Sequence, residues 1–160
     1  MDSVYDVIEK IRDFLREGDY TNSVTFGNLS DLDLNKLNIY PFVHIKLENA
    51  TVNDTTIDFT LKIWAADIVD KYKEENFTDT LDATDEDRIY KGDNLMNVLN
   101  TQFQVVNRLF QSLTRADLRD DGYHTNPELV AEPFIDSFTM ELAGWTTDIV
   151  ITIRNNFPIC

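Results

Sequence analysis

Among its 160 residues the chain has one cysteine (the last residue, Cys160), two histidines, five glycines and four prolines. A lone thiol makes no internal disulfide, so the fold is expected to stand without an oxidising compartment. Two isolated imidazoles and a terminal thiol fall short of the three or four ligands of a zinc site. So few glycines leave no phosphate cradle, and neither a Walker loop nor a Gly-x-Ser-x-Gly nucleophile turn is present. No apolar run approaches the ~20 residues of a membrane span. The N-terminal stretch Met1–Lys10 has neither the basic start nor the apolar centre of a signal peptide. Positive charge is scarce too: 14 Lys and Arg stand against 29 Asp and Glu, for a formal net charge of −15. Duplex DNA carries one negative charge per about 1.7 Å of axis and is repelled by such a surface, which argues against sequence reading of nucleic acid. The same charge also serves simply to keep a concentrated protein soluble.

What is present is enough for a core. Hydrophobic residues make up 42%, with ten Phe, two Trp and six Tyr. The length fits a single domain over residues 1–160, which buries roughly two-thirds of its unfolded surface. Ser3 is placed to cap a helix that carries Val4, Val7, Ile8, Ile11, Phe14 and Leu15 at helical spacing, and Gly18 is placed to stop it. Asp19 to Tyr40 is polar and turn-rich, with a short strand suggested at Val24–Phe26. Two strands follow from strict alternation. In Phe42–Glu48, Val43, Ile45 and Leu47 oppose His44 and Lys46; in Thr55–Trp64, Ile57, Phe59, Leu61 and Ile63 oppose Asp58, Thr60 and Lys62. The polar tract between them suits a hairpin, and the alternation predicts one buried and one solvated face.

Residues 67–93 break this pattern with ten Asp or Glu against four Lys or Arg, plus scattered Phe77, Leu81, Ile89 and Tyr90. So long a connection inside a compact domain is normally functional or mobile. Two readings stand: a solvated excursion, or an arm that orders against a neighbouring subunit through its aromatics. The spacing then predicts a helix over Asn94–Leu113, with Leu95, Val98, Leu99, Gln102, Val105, Val106, Leu109, Phe110 and Leu113 along one stripe. Twenty helical residues reach about 30 Å, enough to cross a sheet face. A turn-rich segment, Arg115–Gly122, leads to a final strand pair in Pro133–Asn155, expected to meet at a Gly144-Trp145 corner. There Gly permits a bend or bulge, and Trp either caps the core or covers a subunit contact. The fold class is therefore α+β: a mainly antiparallel sheet of about four or five strands, packed by a long central helix and an N-terminal helix.

Candidate chemistry fails on spacing. Asp31-x-Asp33-x-Asn35 starts like a calcium loop, but Lys36 stands where glycine is required and Phe42 where the bidentate glutamate belongs. The run Asp79, Asp82, Asp85, Glu86, Asp87 has no spacing that fixes a coordination geometry. His44 lies mid-strand on the polar face and His124 in a turn. A Cys160–His dyad would place a nucleophile on the final residue, where rigid positioning is hard to achieve.

The helix Asp93–Leu113 and the segment Pro133–Asn155, above all Leu142-Ala143-Gly144-Trp145, carry a resemblance to the small neck and tail-terminator (tail completion) proteins of tailed bacteriophages. The order of helices and strands extends that resemblance over nearly the whole chain, and the motif-like part covers under a third of it. It implies a virion structural subunit without enzymatic activity, cofactor or metal, which forms a ring, commonly six-fold and alternatively twelve-fold. The ring would sit at the head–tail junction after assembly in the host cytoplasm, joined to neck, portal-adaptor or tail-tube proteins. Genomic DNA would only pass through it, and no membrane is involved. The family's contact loop maps onto the insertion here. Mapped onto Asp67–Lys91, it nominates Phe77, Asp79, Leu81, Asp82, Asp85, Glu86, Asp87 and Tyr90, together with Gly144 and Trp145, as interface residues, the last two also supporting the sheet. Strong acidity departs from the family pattern and suits a lumen along which DNA slides without sticking. The Asp19–Tyr40 segment departs as well, and leaves both a tail terminator and a neck ring of a short-tailed particle open. Two other readings stand on the residues alone. One is a small acidic protein that mimics DNA and blocks a DNA-binding enzyme. The other is a metal-dependent enzyme built on Asp79–Asp87, which requires turnover that is lost on Asp85→Asn and Asp87→Asn.

Overall fold

A computed structural model describes residues 3–34, 36–70, 94–137 and 141–156, with the backbone alone at 136 and 137. Helix α1 (Val4–Arg16) starts in a reciprocal cap. The Ser3 hydroxyl accepts from the Asp6 N–H at 3.3 Å, and the Asp6 carboxylate accepts from the Ser3 N–H at 2.7 Å. Its stripe Val7, Ile8, Ile11 and Leu15 is buried, whereas Val4 at the helix start is exposed. The chain continues through β1 (Ser23–Phe26), two short 3-10 turns, β2 (Phe42–Val52), β3 (Thr56–Ile68), α2 (Leu95–Arg115), a one-turn α3 (Asp117–Asp120), β4 (Ala131–Ser137) and β5 (Glu141–Arg154).

The five strands form one mixed sheet in the order β1-β2-β3-β5-β4. Only β1 on β2 is parallel; all other pairings are antiparallel. The expected α+β class and the mainly antiparallel sheet under two helices are therefore observed. The helices cover one face, which we call the front. Ile57, Phe59, Leu61, Ile63 and Ala65 of β3 lie there beside Ile149, Ile151 and Ile153 of β5 and Val43 and Ile45 of β2, in one buried cluster with the α1 and α2 stripes. Each fully buried isoleucine in such a row stabilises by about 2 kcal/mol.

Several expectations need correction. Both middle strands run further than alternation reached, β2 to Val52 and β3 to Ile68. A bulge between Leu47 and Asn49 resets the register of β2, and Ala65-Ala66 is buried on both faces, so neither continuation alternates. The back of the sheet is not uniformly solvated. Leu29, Leu32, Leu34 and Ile39, from the segment read as turn-rich, pack with Tyr40, Phe42, Ala66, Ile68, Phe134 and Leu142 over one end of it. Arg115–Gly122, also read as turn-rich, holds α3, whose Leu118 is buried. Gly144-Trp145 is not a corner. It lies inside β5, whose pairing with β3 is unbroken from Leu142 to Arg154.

Candidate functional site

Of the nominated interface residues, Phe77, Asp79, Leu81, Asp82, Asp85, Glu86, Asp87 and Tyr90 lie outside the described residues, as does Cys160. The structure does describe the base from which their segment departs. At the end of β3 the Val69 N–H donates to the Glu141 carbonyl at 2.8 Å. The Asp70 N–H donates to the Asn94 side-chain oxygen at 2.6 Å, and the Asn94 amide reaches the Ile68 carbonyl at 3.4 Å. Asn94 thus uses its side chain to tie the start of α2 to the end of β3, bringing the two ends of the acidic segment together in one stem. Asp67 lies at that stem, half-buried, and burial pushes its carboxyl above the ordinary range, against the pull of the Ile68 N–H at 2.8 Å.

Gly144 and Trp145 support the sheet by a different mechanism from a bend. A Cβ on Gly144 would run into the Ala65 carbonyl oxygen and come within 2.8 Å of the Ala66 Cα, so glycine is needed for close strand approach. The next residue points to the front. The Trp145 indole N–H donates to the Leu99 carbonyl of α2 at 2.7 Å, and its ring lies 5.1 Å from that of Phe103. One residue therefore lets β5 press against β3, and its neighbour ties β5 to the helix.

Several apolar side chains are exposed at and beside the sheet's outer edge at β4. Val130 is 67% exposed, Ile135 62% and Phe103 44%. A groove of about 420 Å³ runs between α2 and the start of β4, lined by Phe103, Phe110, Leu129, Val130 and Ala131. Val130 also borders a hollow of about 270 Å³ that holds Glu128, Glu132 and Asp148, with Lys62 3.7 Å from Asp148. The strand's peptide groups can be oriented. Pro133 has no N–H to give to β5, and the Val130 carbonyl already turns inward to accept from the Thr147 hydroxyl at 2.7 Å. Even-numbered residues of β4 therefore bond β5, and the peptide groups of Ala131, Pro133 and Ile135 face the free side. Composition gave no hint of this arrangement, because it depends on which strand is last in the sheet.

The remaining candidates resolve simply. His44 does lie on the back face, but it is only 2% exposed, since β1 and the following turn cover it. The Gly27 carbonyl, 3.0 Å from Nε2, can only accept, so the ring proton sits on Nε2. In the neutral ring Nδ1 then accepts from the Thr25 hydroxyl at 2.8 Å. Burial holds this imidazole below its ordinary pKa, against the Gly27 carbonyl and Asp31. His124 is exposed and pairs through its backbone with Thr152. Asp31 ends a 3-10 turn and the Asp33 carbonyl accepts from Lys36, so the calcium-like spacing forms turns. Among the described residues, no three His, Cys, Asp or Glu side chains gather as a metal-binding group. A cleft of about 480 Å³ beside Phe14 and Gly18 sets the Arg108 guanidinium near Glu17 and Asp19, and Arg108 stacks on Phe14 at 4.7 Å. Compared with known proteins, the chain matches no family model and no curated protein sequence.

Proposed function

We propose that this chain is a virion structural protein of a tailed bacteriophage that forms a homo-oligomeric ring at the head–tail junction, as a tail terminator or neck ring. The observation that carries the reading is the stem. The acidic segment leaves β3 and re-enters α2 from one point, fixed by Asn94, Val69 and Glu141. In this reading the segment is the contact arm of a closed ring, in which each subunit must present one surface to a different surface of the next. The resemblance carried by α2 and by Leu142-Ala143-Gly144-Trp145 favours the same reading, and so does a rigid helix-on-sheet body braced by Trp145. In this reading the protein works by shape: it has no catalytic role, it binds neck, portal-adaptor or tail-tube proteins on its two ring faces, and its net charge of −15 keeps passing DNA from adhering.

Negative-stain imaging of the chain mixed with the other components of its particle tests the proposal. Rings with a central channel are expected. A chain that stays monomeric and instead inhibits a DNA-binding enzyme would replace the ring with the acidic mimic of DNA.

A further inference from the structure

Among the described residues β4 is an outer strand of the sheet, and the two sides of its edge differ in chemistry. Unpaired strand edges are a hazard that proteins usually shorten, cover or charge. Here the N–H groups of Ala131 and Ile135 and the carbonyls of Ala131, Pro133 and Ile135 face outward, by the orientation argued above. On the front, the space beside the edge is the apolar groove floored by Phe103 and Phe110. On the back it is the hollow holding Glu128, Glu132 and Asp148, where one lysine faces three carboxylates. The Thr146 hydroxyl at that hollow is buried and has no hydrogen-bond partner among the described residues. A strand laid along β4 points alternate side chains to opposite faces. Beside the start of β4 its front residues would enter the groove and its back residues would meet Glu128 and Glu132.

We propose that β4 is a docking edge for an extended segment of another protein in which apolar residues alternate with lysine or arginine. Main-chain bonds to the edge hold the segment, and the alternation selects it. Charge complementarity chooses the partner class. An acidic or uncharged strand would leave Glu128 and Glu132 facing like charge or nothing, and the edge's own residues 128–135 carry no cation with which a second copy could satisfy them. Nucleic acid is disfavoured by the same carboxylates. The inference does not depend on ring formation and would hold for a monomer.

The test uses the full chain and three synthetic peptides of about six residues, the common length of a strand. One alternates valine with lysine, one alternates valine with glutamate, and one is all lysine. Binding is followed by amide shifts and hydrogen exchange at Ala131 and Ile135. The valine–lysine peptide should bind and slow exchange at both amides, while the other two should not. Glu128→Lys combined with Glu132→Lys should weaken that peptide by at least about ten-fold and admit the valine–glutamate peptide instead. Ile135→Pro removes an outward donor and should weaken binding by a similar factor. If that variant does not fold, the charge-reversed pair decides, since both its residues are exposed. Equal binding of the all-lysine peptide, failure of the valine–lysine peptide at millimolar concentration, an unaltered peptide preference in the charge-reversed pair, or self-association through β4 would each overturn the proposal.

Discussion

At one edge of the sheet β1 runs for four residues, and His44 beneath it binds both the Thr25 hydroxyl and the Gly27 carbonyl. At the other edge β4 runs for seven residues, and its outward peptide groups have no strand beside them among the described residues. The first edge is short and latched from within by a buried imidazole, while the 3-10 segment packs over Phe42, Leu142 and Phe134 of the other strands. The second lies between an apolar groove and an acidic hollow. The β1 edge is thus short and tied down, whereas β4 keeps outward peptide groups on either side of Pro133, and the proposed docking segment would join the sheet there.

The largest effect should come from Gly144→Val, because β5 lies between β3 and β4 and pairs with both. The added side chain meets the Ala65 carbonyl and the Ala66 backbone, and neither can move without parting β3 from β5. Urea denaturation should show a loss of about 3 kcal/mol or more; a loss under about 1 kcal/mol would mean that close strand approach is not what keeps glycine there. Next is His44→Ala, which unlatches the β1 edge at a cost of about 2 kcal/mol. Hydrogen exchange should quicken across β1 and stay unchanged in β4, and uniform quickening would show that the two edges are not separately controlled.

The same imidazole sets a pH dependence. Its folded pKa lies below the ordinary 6.5, so the unfolded chain takes up the proton first. The stability that His44 contributes is complete above pH 6.5 and is lost as pH falls from there toward the depressed folded value. His44→Ala should remove that slope.

Trp145→Phe keeps the ring beside Phe103 but deletes the bond to Leu99, and should cost about 1 kcal/mol. The smallest effect is expected at the stem. Asp67→Asn relieves a carboxylate that burial disfavours while keeping an acceptor for the Ile68 N–H, and should raise stability at pH 7 by about 0.5 kcal/mol. Because the folded pKa is raised, the gain should shrink as pH falls through that value and the wild-type carboxyl protonates.

Much of the fold was legible in the sequence because single elements carry their own period. Alternation located β2 and β3, the 3.6-residue stripe located both long helices, and Ser3 does cap α1. What was missed depends on contacts between elements. His44 was assigned to the correct face but not to the interior, since its cover comes from residues 25–31, which have no periodic pattern of their own. Leu29, Leu32, Leu34 and Ile39 looked like isolated apolar residues in a polar stretch until the turns gathered them over Phe42 and Leu142. Gly144 was read as a bend because local sequence does not reveal a neighbouring strand's backbone, and it is the Ala65-Ala66 backbone that excludes a side chain. The openness of β4 was illegible for the same reason: strand order in the sheet is a property of the whole chain.

The most direct test of the proposed ring is the molar mass of the species formed when the chain is mixed with neck, portal-adaptor or tail-tube proteins, measured by size-exclusion chromatography with light scattering. A closed ring predicts a discrete species at a whole-number multiple of 18.5 kDa plus any bound partner, with no continuous ladder as concentration rises. A mass of 18.5 kDa at every concentration, with and without those components, would contradict it.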